Sequence, residues 1–255
     1  QSGGNPGGGA RFSLYDPYLE RTADFSLIQT AVSNTNVQNT HWGPIVQTVE
    51  AGWQKYPAYS TPPGVHFFTF FNANGYKGIG DNAAGYNTDV KGWVQVDSTV
   101  YPGYQFRPLS VDGGEQHDID LQYRLIDQKW WLSVGGRYIG YYPAWLFAQN
   151  VTTGASLATA ADKITFYGEV YSSNTQTTTD MGSGEFPSAG PNKSAYIRNM
   201  VYASPSNVVY NFDANLANIV TDPNDYNLET HYNSGAPWDS YILLGGPGAG
   251  GNVGS

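Results

Sequence analysis

Between Phe25 and Leu244 the chain is cut by turn signals rich in Gly, Pro and Asn, at intervals of about 8 to 12 residues. The runs between them alternate apolar with polar positions, the period of a half-buried strand. No run keeps a helical period worth naming, and no internal repeat is present. Only Leu146 to Ala161 admits a short helix. Such a chain is expected to be all-β, a sandwich or a barrel of many short strands.

The expected strands are Phe25–Val32, a run from Ile45 to Trp53, Val65–Phe71, Gly92–Asp97, Tyr104–Phe106, His117–Ile126, Trp130–Val134, Ile139–Phe147, Ile164–Tyr171, Ala195–Tyr202, Val208–Phe212 and Tyr241–Leu244. Asn74-Gly75 is the best tight-hairpin signal, and Asp127-Gln128-Lys129 marks a second hairpin. Residues 1–10 read as a flexible Gly-rich lead, 11–255 as a single domain, and Asp213 to Asn227 as a surface excursion.

Composition narrows the function. Charged residues are 13% of the chain, well below the roughly 25% usual for globular proteins. The net charge is -9 with 12 basic residues, so no cluster exists to neutralise phosphates and no nucleic-acid partner is expected. An anionic membrane surface is disfavoured for the same reason, and no 18-residue apolar run is present to span a bilayer. Cysteine is absent, which removes disulfides and thiolate chemistry and leaves the compartment open. Asn150-Val151-Thr152 and Asn192-Lys193-Ser194 are acceptor sequons. The opening Gln1 to Gly9 has the look of a stump left by processing.

Metal and cofactor sites are not expected. The four histidines (His41, His66, His117, His231) are scattered, and His117, Asp118 and Asp120 lie on a strand where neighbours face opposite ways. Gly182-Ser183-Gly184 lacks the frame of a nucleophile elbow. Gly246 to Gly251 matches a dinucleotide pattern but has no room for the helix that must follow. Trp130, Trp131, Tyr138, Tyr141, Tyr142 and Trp145 form the densest aromatic stretch, mostly core, with an exposed subset able to stack a proline ring or a sugar.

Carboxylates remain. Glu is depleted in strands, yet two of the six glutamates sit mid-strand among aromatics. Ile45, Val49, Ala51 and Trp53 fall on one side of their strand, interrupted by Gln47; Val46, Thr48, Glu50, Gly52 and Gln54 fall on the other. Ile164, Phe166, Gly168 and Val170 oppose Thr165, Tyr167, Glu169 and Tyr171. Either each glutamate faces water outside a sheet, or the two face each other across a groove and share a proton, an acid and a base from one residue type.

Val49 to Pro57, Trp130-Trp131-Leu132 with Gly140 to Phe147, Tyr167 to Val170, Thr179 to Gly184 and Leu244 to Gly248 together resemble the neprosin family of glutamic peptidases. The resemblance implies an antiparallel β-sandwich of two large sheets with a concave groove holding two glutamates. It implies a secreted zymogen, processed in acid, that cleaves peptides after proline. It places the pair at Glu50, ahead of Gly52-Trp53, and at Glu169, behind Gly168. Gln54, Tyr167, Tyr171 and Trp53 are the expected substrate-binding residues, Gln54 as a candidate to orient water or the oxyanion. The absence of cysteine departs from plant members and points to a microbial branch. The expected molecule is a monomeric endopeptidase acting on proline-containing peptides, without cofactor or metal. A glycoside hydrolase, or a lectin-like sandwich in which neither glutamate is catalytic, is the alternative.

Overall fold

The computed structural model describes residues 4–152, 154–213 and 216–250. The first half of the chain supplies β1 (Gly7–Ser13), β2 (Phe25–Asn39), β3 (Gly43–Lys55), β4 (Val65–Asn72), β5 (Ala84–Tyr86), β6 (Val94–Gln95) and β7 (Asp118–Ile126). The second half supplies β8 (Lys129–Val134), β9 (Arg137–Pro143), β10 (Lys163–Tyr171), β11 (Ala195–Ala203), β12 (Val209–Asn211), β13 (Asn227–His231) and β14 (Tyr241–Gly245). Two antiparallel sheets form a sandwich. One has five strands, ordered β10-β2-β3-β4-β5; the other has nine, ordered β13-β14-β11-β1-β7-β8-β9-β6 with β12 on β11.

Alternation assigns the faces. Ile28, Val32, Val49, Ala51, Trp53, Phe67 and Phe71 point from the five-stranded sheet into the core, against Phe12, Leu121, Tyr123, Leu132, Ile139 and Tyr142 of the other. Full burial of each large side chain contributes about 1.5–3 kcal/mol. Trp53 Nε1 donates to Ser13 O at 2.7 Å, joining the sheets through its one polar atom. Gln47, which breaks the apolar pattern, is also fully buried. Its Nε2 donates to Ala73 O and Phe147 O, at 3.2 and 3.0 Å, and its Oε1 accepts from Leu157 N at 3.1 Å. A satisfied amide can stay in a core.

Several expectations are corrected. Gly7 to Ala10 are not a flexible lead but half of β1, an interior strand between β11 and β7. Glycine is required there: a Cβ on Gly9 would stand 2.1 Å from Leu121 O, and one on Gly8 2.5 Å from Val201 O. Asn74-Gly75 makes no tight hairpin, because β4 ends at Asn72 and its partner β5 begins at Ala84. Tyr104–Phe106 runs beside β4 without forming a named strand. Of the stretch Leu146 to Ala161, which admits a short helix, only Leu146 to Ala148 is helical among the described residues, as the end of a 3-10 turn, Ala144–Ala148. Strand β13 was not anticipated. The β7–β8 hairpin does turn at Asp127 and Gln128, both at positive φ. Among the described residues no helix is long and apolar enough to cross a membrane.

Candidate active site

The outer face of the five-stranded sheet is where a solvated polar surface would ordinarily lie. Instead Gln29, Thr48, Glu50 and Gln54 are buried there, Glu50 to 6% exposure. Aromatic rings cover them. Tyr171 stacks on Phe25 (5.4 Å), Phe25 meets Tyr56 (5.5 Å), Tyr56 stacks on Tyr59 (6.0 Å), and Tyr59 meets Tyr86 (5.5 Å). Tyr86 packs on Phe70 at 4.6 Å, and Phe70 lies parallel to Tyr76 at 6.2 Å. The result is an unbroken wall of seven rings along this face.

Glu50 is held inside that wall by neutral donors. Thr48 Oγ1 and Tyr76 Oη donate to Oε1 at 2.6 and 2.7 Å, and Gln29 Nε2 donates to Oε2 at 3.1 Å. Each donor has a local cause. Thr48 precedes Glu50 by two residues and so shares its face. Gln29 comes from β2, where Gln29 pairs with Gly52. A Cβ on Gly52 would stand 2.1 Å from Ile28 O and 2.7 Å from the Gln29 Cβ, so glycine lets β2 and the Gln29 side chain close over β3. Tyr76 arrives from the Asn74-Gly75 turn: Asn72 Oδ1 accepts from Tyr76 N at 2.8 Å, and Gly75 and Tyr76 both take positive φ. The turn that failed to make a hairpin delivers a hydroxyl to the carboxylate. Behind the site, Thr69 Oγ1 and Tyr123 Oη donate to Glu50 O at 2.9 and 3.0 Å, anchoring its backbone.

Glu169 lies on the same face. It pairs with Leu27, and Leu27 with Gln54; Glu50 pairs with Ala31. The two glutamates therefore stand on the strands flanking β2, four residues out of step along it. They make no hydrogen bond to each other, so the picture of one proton held directly between them does not describe this geometry. Tyr167 and Gln29, which pair with each other, occupy the space between, and Gln29 Nε2 donates to Tyr167 Oη. Glu169 is exposed and has no hydrogen-bond partner among the described residues.

Burial pushes the pKa of Glu50 up; Thr48, Tyr76, Gln29 and Tyr167 pull it back without restoring the ordinary value. Glu169 is raised by partial loss of hydration and then by the charge of Glu50. Burial and the same two charges push Tyr86 up to about 12 and Tyr167 further. These hydroxyls stay protonated and able to donate.

Of the residues expected to bind substrate, Tyr167 lies between the glutamates, Tyr171 ends the ring wall, and Gln54 is buried on this face level with Glu169. Trp53 is corrected: it is wholly buried on the opposite face of β3, as its odd-numbered register demands, and cannot touch a ligand. Sequence reasoning missed Gln29, Thr48 and Tyr76. Thr48 was on the face already identified, but no signal singled out the other two. The Asp118 carboxylate, weighed as a metal ligand, is taken up by Arg11 and Arg198, each at 2.7 Å.

The model of the Neprosin family matches residues 22–247. Both glutamates and every ring of the wall fall inside that span, whereas β1 lies outside it.

Proposed function

The chain belongs to the Neprosin family, peptidases of the glutamic prolyl endopeptidase type, and from that premise we propose that it is an acid-acting endopeptidase using Glu50 and Glu169. The observation that carries this reading is the unequal pair: Glu50 buried among three donors, Glu169 exposed and unpartnered, on one aromatic-walled face. Burial raises Glu50 overall, but its three donors orient it and favour the charged form, and any charge it carries favours a proton on Glu169. We assign Glu50, the oriented carboxylate, as the base and the solvent-open Glu169 as the acid.

Glu50 takes a proton from water, whose oxygen forms a bond to the scissile carbonyl carbon. Glu169 gives its proton to the leaving nitrogen as the C–N bond breaks. Glu50 ends protonated and Glu169 ionised, and exchange with solvent resets the pair. Tyr167, a protonated hydroxyl between the two acids, donates to the oxygen that gains charge. The aromatic wall supports proline in the substrate. An ordinary residue pressed against rings would leave its N–H unpaired, at a cost of about 1–3 kcal/mol; proline has none to lose. Secretion and processing in acid belong to the same proposal, on the strength of the family.

Cleavage of a quenched, proline-containing peptide in acid tests the assignment. Glu50→Gln and Glu169→Gln should each lower kcat by roughly 10²–10⁴ with an unchanged circular dichroism spectrum. A folded variant of either kind that keeps wild-type activity removes the dyad.

A further inference from the structure

Strand β10 carries Glu169 on its outer face, yet it is an edge strand. It pairs with β2 alone, in unbroken register from Lys163–Ser33 to Tyr171–Phe25. In an antiparallel pair, alternate residues turn their N–H and C=O groups away from the partner. Among the described residues no other backbone or side-chain group takes up those of β10. Nine residues of straight edge, without proline or bulge, form a template that proteins ordinarily block.

Beneath this edge, where the two sheets part, lies a cavity of about 520 Å³. Phe166, Met181, Met200, Leu228 and Ile242 line it, and residues 216–222 overhang it. Leu216 N donates to Tyr232 Oη at 2.8 Å and Asn218 Nδ2 to Thr230 Oγ1 at 3.1 Å, which holds the overhang in place; Ile219 at its tip is 74% exposed. The cavity is continuous with the proposed catalytic face, because Tyr167 and Glu169 also border it.

We propose that the free edge of β10 binds an extended segment of the substrate polypeptide as an added strand. The inference rests on the peptidase reading above. A strand laid on β10 inherits its pleat. Its side chains alternate between the catalytic face, beside Tyr167 and Glu169, and the cavity beneath, beside Phe166 and Gly168. The cavity is lined mainly by carbon and sulfur, so the inward positions take uncharged, bulky residues. Backbone hydrogen bonds supply affinity and the cavity supplies selectivity, as in other strand-addition sites. The enzyme then prefers a long substrate whose apolar residues recur at every second position on one side of the cleaved bond.

The test compares a short quenched peptide with versions extended on either side by alternating Leu and Ser. One extension should raise kcat/KM by about tenfold, through KM. N-methylation of that extension, which removes backbone donors, should abolish the gain. So should Leu228→Trp, which fills the cavity, while the short peptide is cleaved within about twofold of wild type. Equal gains from N-methylated and unmodified extensions, or no gain from either, overturn the proposal and leave the catalytic reading standing. Independently, the extension alone is titrated onto the Glu50→Gln protein, following backbone amide resonances. Shifts confined to β10 and Leu228 support the docking site even if the short peptide is not cleaved, and their absence overturns it.

Discussion

Two carboxylates in this molecule, one half-buried and one buried, behave in opposite ways. The side chain of the half-buried Asp118 sits between two guanidinium groups. Burial pushes its pKa up, but Arg11 and Arg198 outweigh that and hold it below the usual carboxylate range. Glu50, 6% exposed, is surrounded by Thr48, Tyr76 and Gln29. Burial raises Glu50, and its neutral donors, which orient a carboxylate without supplying an opposite charge, do not bring it back, so it stays above the usual range; its charge, when present, acts on Glu169, Tyr86 and Tyr167. Cations lock a carboxylate into structure. Hydroxyls and amides leave it able to exchange a proton.

The comparison breaks most visibly under isosteric removal of each charge. Glu50→Gln is expected to cost the full catalytic factor and little stability, since an amide still fills the pocket. Asp118→Asn should do the reverse: urea unfolding should show a loss of about 1–2 kcal/mol, because two partly exposed arginines lose their counter-charge, while kcat in acid stays within about twofold of wild type. Loss of activity in folded Asp118→Asn would put the working carboxylate on the wrong sheet.

Much of this contrast could be read before the fold was known, for a definite reason. Period-two alternation assigns faces, and a glutamate on a polar strand face among aromatics violates strand composition at Glu50 and Glu169. What alternation cannot supply is the identity of partners from elsewhere in the chain. Gln29 is an unremarkable polar residue in β2 until Gly52 lets it close over β3. Tyr76 lies in a loop whose Asn-Gly pair suggests a hairpin. Trp53 was drawn into the site by its place in a motif, although its own register put it in the core. The Gly7–Gly9 run reads as a linker by composition, yet its glycines answer to the backbones of Leu121 and Val201 in the middle of a sheet.

A third acid extends the comparison to stability. Burial raises Asp180 to about 6, against the pull of the Tyr18 N–H and of Lys55. With its folded pKa above the ordinary 3.8, Asp180 stabilises the fold most when protonated. That contribution is complete below about pH 4 and is lost as pH rises through about 6. Asp118, lowered, has the opposite sign: its contribution is present above the ordinary value and is lost as pH falls through its own. Stability should therefore peak in mild acid and fall toward neutrality, with Asp180 accounting for about 3 kcal/mol at most. Urea midpoints for wild type and Asp180→Asn at a series of pH values check this. A flatter decline in the variant supports the assignment, and an identical decline rejects it.

The finest test asks whether the donors around Glu50 set its proton affinity. As the base, Glu50 governs the limb of the pH–rate profile on which activity rises with pH; Glu169, as the acid, governs the fall at higher pH. Tyr76→Phe keeps the ring on Phe70 and removes one hydrogen bond to Oε1. That bond favours the charged form, so its loss raises the Glu50 pKa and moves the rising limb upward by about one pH unit. The plateau rate should change by less than about threefold, because Thr48 and Gln29 still hold the carboxylate. Arg11→Gln alters the grip on Asp118 on the other sheet and should leave that limb where it is. A limb that follows Arg11 and ignores Tyr76 would mean that the proton-exchanging group is not the carboxylate the neutral donors surround.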